Sequence, residues 1–205
     1  MISRIFLILS IFISNFAYSQ CLKADIVILL DWSGSESENG HFVTGAASDF
    51  IYSLSMGPSS VKVGIIPFSY SPLISWCVPL THDALILSNV VSNLGTTIPS
   101  GGTSYQDSFS LSDDFFKKSE EERGEKVMKI IILISDGEEL NFYSNDIIDY
   151  LKSNDCLIWC IGTTSGNMSD EGRQRLMGIS SGPEFYSEQT YFTLREELVR
   201  LNICP

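Results

Sequence analysis

Apolar residues along this chain fall into short continuous runs separated by stretches with a four-residue repeat. "ADIVILLD" (24–31) is a greasy run of strand length that stops at an aspartate. "VKVGIIPFS" (61–69), "VMKIIILISDG" (127–137) and "DCLIWCIGTT" (155–164) have the same character. Continuous runs of this kind fit strands buried on both faces of a parallel sheet. Between them, Phe42, Ala46, Phe50 and Leu54 mark one face of a helix. Helices are also predicted over 83–94, with Thr81 as its cap, and over 106–116, 144–153, 169–181 and 193–204. "SPLISWCVPLT" (71–81) reads as an edge strand because of Pro72 and Pro79, and "EFYSE" (184–188) as a short strand.

Strands thus alternate with helices, which predicts an α/β fold: a doubly wound, mostly parallel central sheet with helices on both faces. The gap between 61–69 and 71–81 is too short for a helical crossover. Those two strands should pair antiparallel and form one edge of the sheet. In the strand order 3-2-1-4-5-6, strands one and four are neighbours at the switch point, where sites form at the carboxyl edge. Asp31 and Asp136 end those two strands and should meet there.

Composition narrows the function. The 205 residues carry a formal net charge of -12, which argues against phosphate contacts and hence against nucleic-acid binding. The N-terminus "MISRIFLILSIFISNFAYSQ" has Arg4, then an apolar run, then Ala17 and Ser19 at signal-peptidase spacing. We expect residues 1–19 to be a secretory signal and residues 20–205 a single secreted, extracellular domain. No further segment is long enough for a membrane span. In an oxidising compartment the five cysteines suggest disulfides. A bridge between Cys21 and Cys204 would tie the two termini together. Cys156 and Cys160 are too far apart to bond if both lie on one strand, and the pairing of Cys77, Cys156 and Cys160 stays open.

The candidate chemistry is a constellation of oxygens. Asp31, Ser33 and Ser35 alternate in "DWSGS", Thr103 follows two glycines in "GGT", and Asp136 precedes Gly137 in "SDG". Two carboxylates and three hydroxyls suit a hard divalent cation and leave room for water or an outside ligand. The Glu-rich "KKSEEERGEK" (117–126) reads as a solvated face, Trp32 as a rim contact, and Glu36 and Glu38 as added negative charge at the rim. His41 and His82 have no metal-ligand partner at a useful spacing.

On these residues the chain resembles the von Willebrand factor type A domains, which include the integrin inserted domains. The metal-ion-dependent adhesion site of that family is Asp-x-Ser-x-Ser, then a Thr, then an Asp. The resemblance runs from Cys21 to Cys204, and cysteines near both ends also look like several extracellular members. It implies a Rossmann-like fold and a Mg²⁺ (or Mn²⁺) ion. Ser33, Ser35 and, in a ligand-ready state, Thr103 would bind the ion directly. Asp31 and Asp136 would hold it mainly through waters. A Glu or Asp carboxylate of a protein partner would fill the open position. Trp32 departs from the smaller residue common in the family.

Two other readings compete with such an adhesion module. In one, the chain is a structural or assembly subunit whose cation only stabilises the fold. In the other, it is a phosphoryl-transfer enzyme with Asp31 as nucleophile. That chemistry wants a second aspartate two residues on, where this chain has Ser33, and no other catalytic motif is visible. The expectation is therefore a binding protein and not an enzyme.

Overall fold

The structure is a computed structural model, and it describes residues 23–57, 60–138, 145–164, 168–190, 193 and 196. Six strands form the sheet: β1 (Ala24–Asp31), β2 (Val61–Phe68), β3 (Val78–Thr81), β4 (Met128–Ser135), β5 (Cys156–Thr164) and β6 (Tyr186–Thr190). Their order is β3-β2-β1-β4-β5-β6. All neighbours are parallel except β2 and β3. This is the expected doubly wound sheet with one antiparallel edge strand.

Helices α1 (Gly40–Ser53) and α2 (Ala84–Leu94) cover one face. Their Val43, Phe50, Leu87 and Val91 pack on Ile26, Ile28, Leu30 and Ile65. Helices α3 (Gln106–Arg123), α4 (Asp146–Ser153) and α5 (Asp170–Ile179) cover the other. There Phe109, Phe116, Leu151 and Leu176 meet Val27, Leu29, Ile66 and Leu133. The strands bury both faces, which is why their apolar runs are continuous.

Several elements differ from the sequence reading. The third strand is only four residues long, because Ile74–Trp76 form a short 3-10 turn before it. Helix α2 is capped by Asp83 and not by Thr81. The Asp83 carboxylate accepts from the amides of Leu85 and Ile86, while Thr81 accepts from the amide of Asp83. Pro183–Phe185 form a 3-10 turn, so β6 begins at Tyr186. The expected signal segment, most of the closing helix, Cys21 and Cys204 lie outside the described residues.

Cys77, Cys156 and Cys160 are free thiols. Cys156 and Cys160 are four residues apart on β5, about 13 Å at strand rise. That is well beyond disulfide reach. Cys77 precedes β3, at the far edge of the sheet from them.

The largest correction concerns the charged stretch. Helix α3 continues to Arg123 and ends at Gly124, whose φ of 66° lies in the left-handed region that glycine adopts readily. Its last turns lie over a cross-strand row of charges at the amino edge of the sheet, Lys62 and Lys129 flanking Asp25 in register. Arg123 pairs with Asp25 at 2.8 Å, Lys62 with Glu122 at 3.1 Å and Lys129 with Glu120 at 2.8 Å. Arg123 also donates to the Ser60 carbonyl. Part of the run is therefore a clamp between helix and sheet.

Candidate metal centre

β1 and β4 are neighbours, with Leu30 level with Ile134. Asp31 and Ser135 thus end adjacent strands on the α3 face of the sheet, and Asp136 follows at once. After Asp31 the chain leaves the sheet through a 3-10 turn, Gly34–Glu36. The Ser33 amide donates to Asp31 Oδ1 at 3.0 Å, which curls the backbone back on the carboxylate. Ser33 Oγ and Ser35 Oγ lie 3.0 Å apart, and the Ser35 hydroxyl hydrogen-bonds the Asp136 carboxylate. The first and last segments of the sequence motif therefore converge.

Thr103 reaches this edge on the loop between α2 and α3. The Gly34 amide donates to the Gly101 carbonyl (2.9 Å), the Ser100 amide to the Trp32 carbonyl (3.0 Å) and the Ser104 amide to the Ser69 carbonyl (2.8 Å). Gly101 has φ of 87°, and a Cβ there would sit 3.2 Å from the Tyr70 ring. Gly137 has φ of 79°, and a Cβ would sit 2.6 Å from the Gly172 carbonyl oxygen. Both positions require glycine. Asp31, at the end of β1, and the other four sequence-predicted residues, on the loops that follow the strands and helices, thus lie at one sheet edge.

Two rim expectations are corrected. Trp32 is 3% exposed and lies under the loop. It leaves no room for a Cβ at Gly40, and its indole donates to Thr97 Oγ1 at 3.1 Å. Glu36 is 1% exposed, and Thr163 at the end of β5 donates to its Oε1 at 2.9 Å. Both are supports, and of the three only Glu38 is exposed. His41 and His82 are exposed.

The sequence reading also missed Ser135 and Tyr105. Ser135 donates to Asp31 Oδ2 at 2.6 Å and accepts from the Gly137 amide at 3.1 Å. Tyr105, 2% exposed, places its hydroxyl 2.8 Å from Ser135 Oγ. The available signal was facing parity: in parallel neighbours, the last inward residue of β4 lies beside the last inward residue of β1.

Electrostatics distinguishes the two aspartates of β1. Asp25 and Asp31 lie on the same face, near opposite ends of the strand, each 1% exposed. Asp25 has Arg123. None of the ion pairs among the described residues involves Asp31 or Asp136. Burial, then the neighbouring Asp136 carboxylate, pushes Asp31 up to about 7, against hydrogen bonds from Ser135 and Ser33. Asp136 is raised too, chiefly by burial. A buried and a half-buried carboxylate beside three hydroxyls, with no ammonium or guanidinium paired to either among the described residues, are a donor set that fits a hard divalent cation.

That pKa sets a pH dependence. Between about pH 4 and 7 the folded chain keeps a proton on Asp31 that the unfolded chain has lost. Cation-free stability should therefore fall as pH rises through that window. A cation competes with the same proton, so its affinity should rise over the window. Titration at pH 5.5 should give Mg²⁺ affinity about 30-fold weaker than at pH 8, whereas a carboxylate with an ordinary pKa would leave the two nearly equal. Equal affinities would show that no proton on Asp31 competes with the cation in this window.

Comparison with known proteins agrees with this architecture. Residues 25–200 match the von Willebrand factor type A domain. Proximal thread matrix protein 1 from the mussel byssus, with a zinc-occupied MIDAS motif, superposes with a TM-score of 0.69 at 19% identity, over 89% of this chain and 47% of that one. The pilus adhesin SpaC of Lactobacillus rhamnosus GG, in an open conformation, gives 0.72 at 18% identity, over 90% of this chain and 30% of that one. The manganese-loaded TRAP protein of Plasmodium vivax gives 0.67 at 22% identity, over 89% and 74%. The chain thus spans less than half the length of the byssus protein and of the pilus adhesin. No curated protein matches it. With the family match covering most of its length, the chain belongs to the von Willebrand factor type A domain family.

Proposed function

We propose that this chain is a secreted adhesion module that grips a protein partner through a divalent cation, Mg²⁺ or Mn²⁺. Asp31, Ser33, Ser35, Thr103 and Asp136 would hold the ion. The observation that carries this reading is the pair of carboxylates, buried Asp31 and half-buried Asp136, gathered beside hydroxyls and left out of every ion pair among the described residues. A bound divalent ion supplies a hard acceptor with a coordination position for a Glu or Asp carboxylate from the partner. The protein's own part is to pre-orient its oxygens. Asp31 is fixed by Ser33 and Ser135, Asp136 by Ser35 and the Glu138 amide, and the Thr103 loop by its backbone bonds to Trp32, Gly34 and Ser69.

The zinc and manganese in two structural relatives support a metal here. The pilus adhesin supports a role in attachment. Among the described residues no helix is long and apolar enough to cross a membrane.

Thr103→Ala tests the partner step. The loop is held by its backbone, so the variant should fold. Its cation-dependent capture of partner from extracellular material should fall at least about tenfold, the scale for losing a hydrogen-bonded or ligating group. EDTA should release the wild-type complex. A partner retained by both the variant and the EDTA-treated wild type would favour the alternative, in which the ion only stabilises a structural or assembly subunit.

A further inference from the structure

Tyr105 stands between the two halves of the centre. It is two residues past Thr103, at the residue preceding α3, and its ring meets Phe68 edge-on with centroids 5.6 Å apart. Its hydroxyl bonds Ser135 on β4, and Ser135 bonds Asp31 on β1. The direction of this chain follows from proton counting. A serine hydroxyl has one proton and two acceptor positions. With Asp31 ionised, as in a cation complex, the Ser135 proton goes to Asp31 Oδ2. The Gly137 amide fills one acceptor position of Ser135, and Tyr105 must donate to the other. Each hydroxyl then points its proton toward Asp31, and donation from Tyr105 strengthens donation from Ser135.

We propose that Tyr105, acting through Ser135, is a positioning residue that holds the Thr103 loop at a set distance from Asp31 and thereby sets the cation affinity of the centre. The phenol reaches from the loop to the strands, across a gap that a smaller hydroxyl residue at position 105 would leave open. Its bond to Ser135 is buried, so water does not compete for it. Partners of ligands placed this way typically change metal affinity by about 10- to 100-fold when removed. The inference rests on the proposed metal site.

Tyr105→Phe removes one oxygen and keeps the ring against Phe68. Calorimetric titration with Mg²⁺ should show affinity about tenfold or more below wild type, while unfolding in EDTA stays cooperative and loses only the stability of one buried hydrogen bond. Ser135→Ala should weaken binding at least as much. Tyr105→Phe added to Ser135→Ala should then cost nothing further, because the path is already cut. Wild-type affinity in Tyr105→Phe, or additive losses in the double variant, would overturn the positioning role and leave the metal site standing. Failure of the wild-type chain to bind Mg²⁺ would overturn both.

Discussion

Replacing Arg123 with leucine is expected to lower the stability of the domain by about 3–5 kcal/mol, the scale for breaking a buried ion pair from one side. Arg123 and Asp25 are 4% and 1% exposed at their side chains, so neither recovers its water when the other is removed. Asp25 sits in the middle of the sheet at β1, with one carboxylate oxygen on Arg123 and the other without a hydrogen bond among the described residues. Removing the guanidinium leaves a carboxylate that must be protonated or drag water into the sheet. Lys62 and Lys129 lie in register on either side but are held by Glu122 and Glu120. Adding Asp25→Val to Arg123→Leu should recover most of the loss, because a matched apolar pair has no charge to desolvate. Urea unfolding of the single and double variants measures both numbers. A single variant within 1 kcal/mol of wild type would mean that the two lysines neutralise Asp25 unaided.

The comparison of Asp25 with Asp31 explains which parts of the molecule the sequence made legible. Both follow the same rule, an inward aspartate on a buried strand, and only the partner tells them apart. The partner of Asp25 comes from a helix nearly 100 residues on. The run around it reads as solvated because the apolar repeat of α3 stops at Phe116, and its last turns face the sheet with Ser119, Glu120, Glu122 and Arg123 instead. Periodicity of apolar residues cannot register a helix face made of ion pairs. The strands were legible for the opposite reason. β1 and β4 are apolar on both faces, so their ends, and the aspartates there, stand out.

Within the site, residue types and spacing brought Asp31, Ser33, Ser35, Thr103 and Asp136 to one edge, because parallel strand order determines which ends are neighbours. The supports were not legible. Trp32 and Glu36 follow the strand in polar sequence and look solvent-facing. Their burial comes from the start of α1 nearby and from the Thr97–Pro99 segment and Thr163 on β5, which are distant in sequence. Tyr105 was not legible because its role depends on a hydroxyl thirty residues away. Asp83 displaced Thr81 as a helix cap by two residues, within the usual uncertainty of helix ends.

The most direct test of the central claim is calorimetric titration of the domain with Mg²⁺ and Mn²⁺ beside Asp31→Ala. The carboxylate anchors the Ser33 amide and the Ser135 hydroxyl and contributes a buried negative charge that has no ion-pair partner among the described residues. Its loss removes both the charge and the geometry of the centre. Circular dichroism of the variant confirms that the sheet persists, and Asp31→Asn, which keeps an acceptor for Ser33, separates charge from hydrogen bonding. Saturable binding of about one ion by the wild-type chain, abolished in Asp31→Ala and strongly weakened in Asp31→Asn, is the predicted result. A folded wild-type chain that binds neither ion, or an Asp31→Ala variant that binds both as well as wild type, would contradict it.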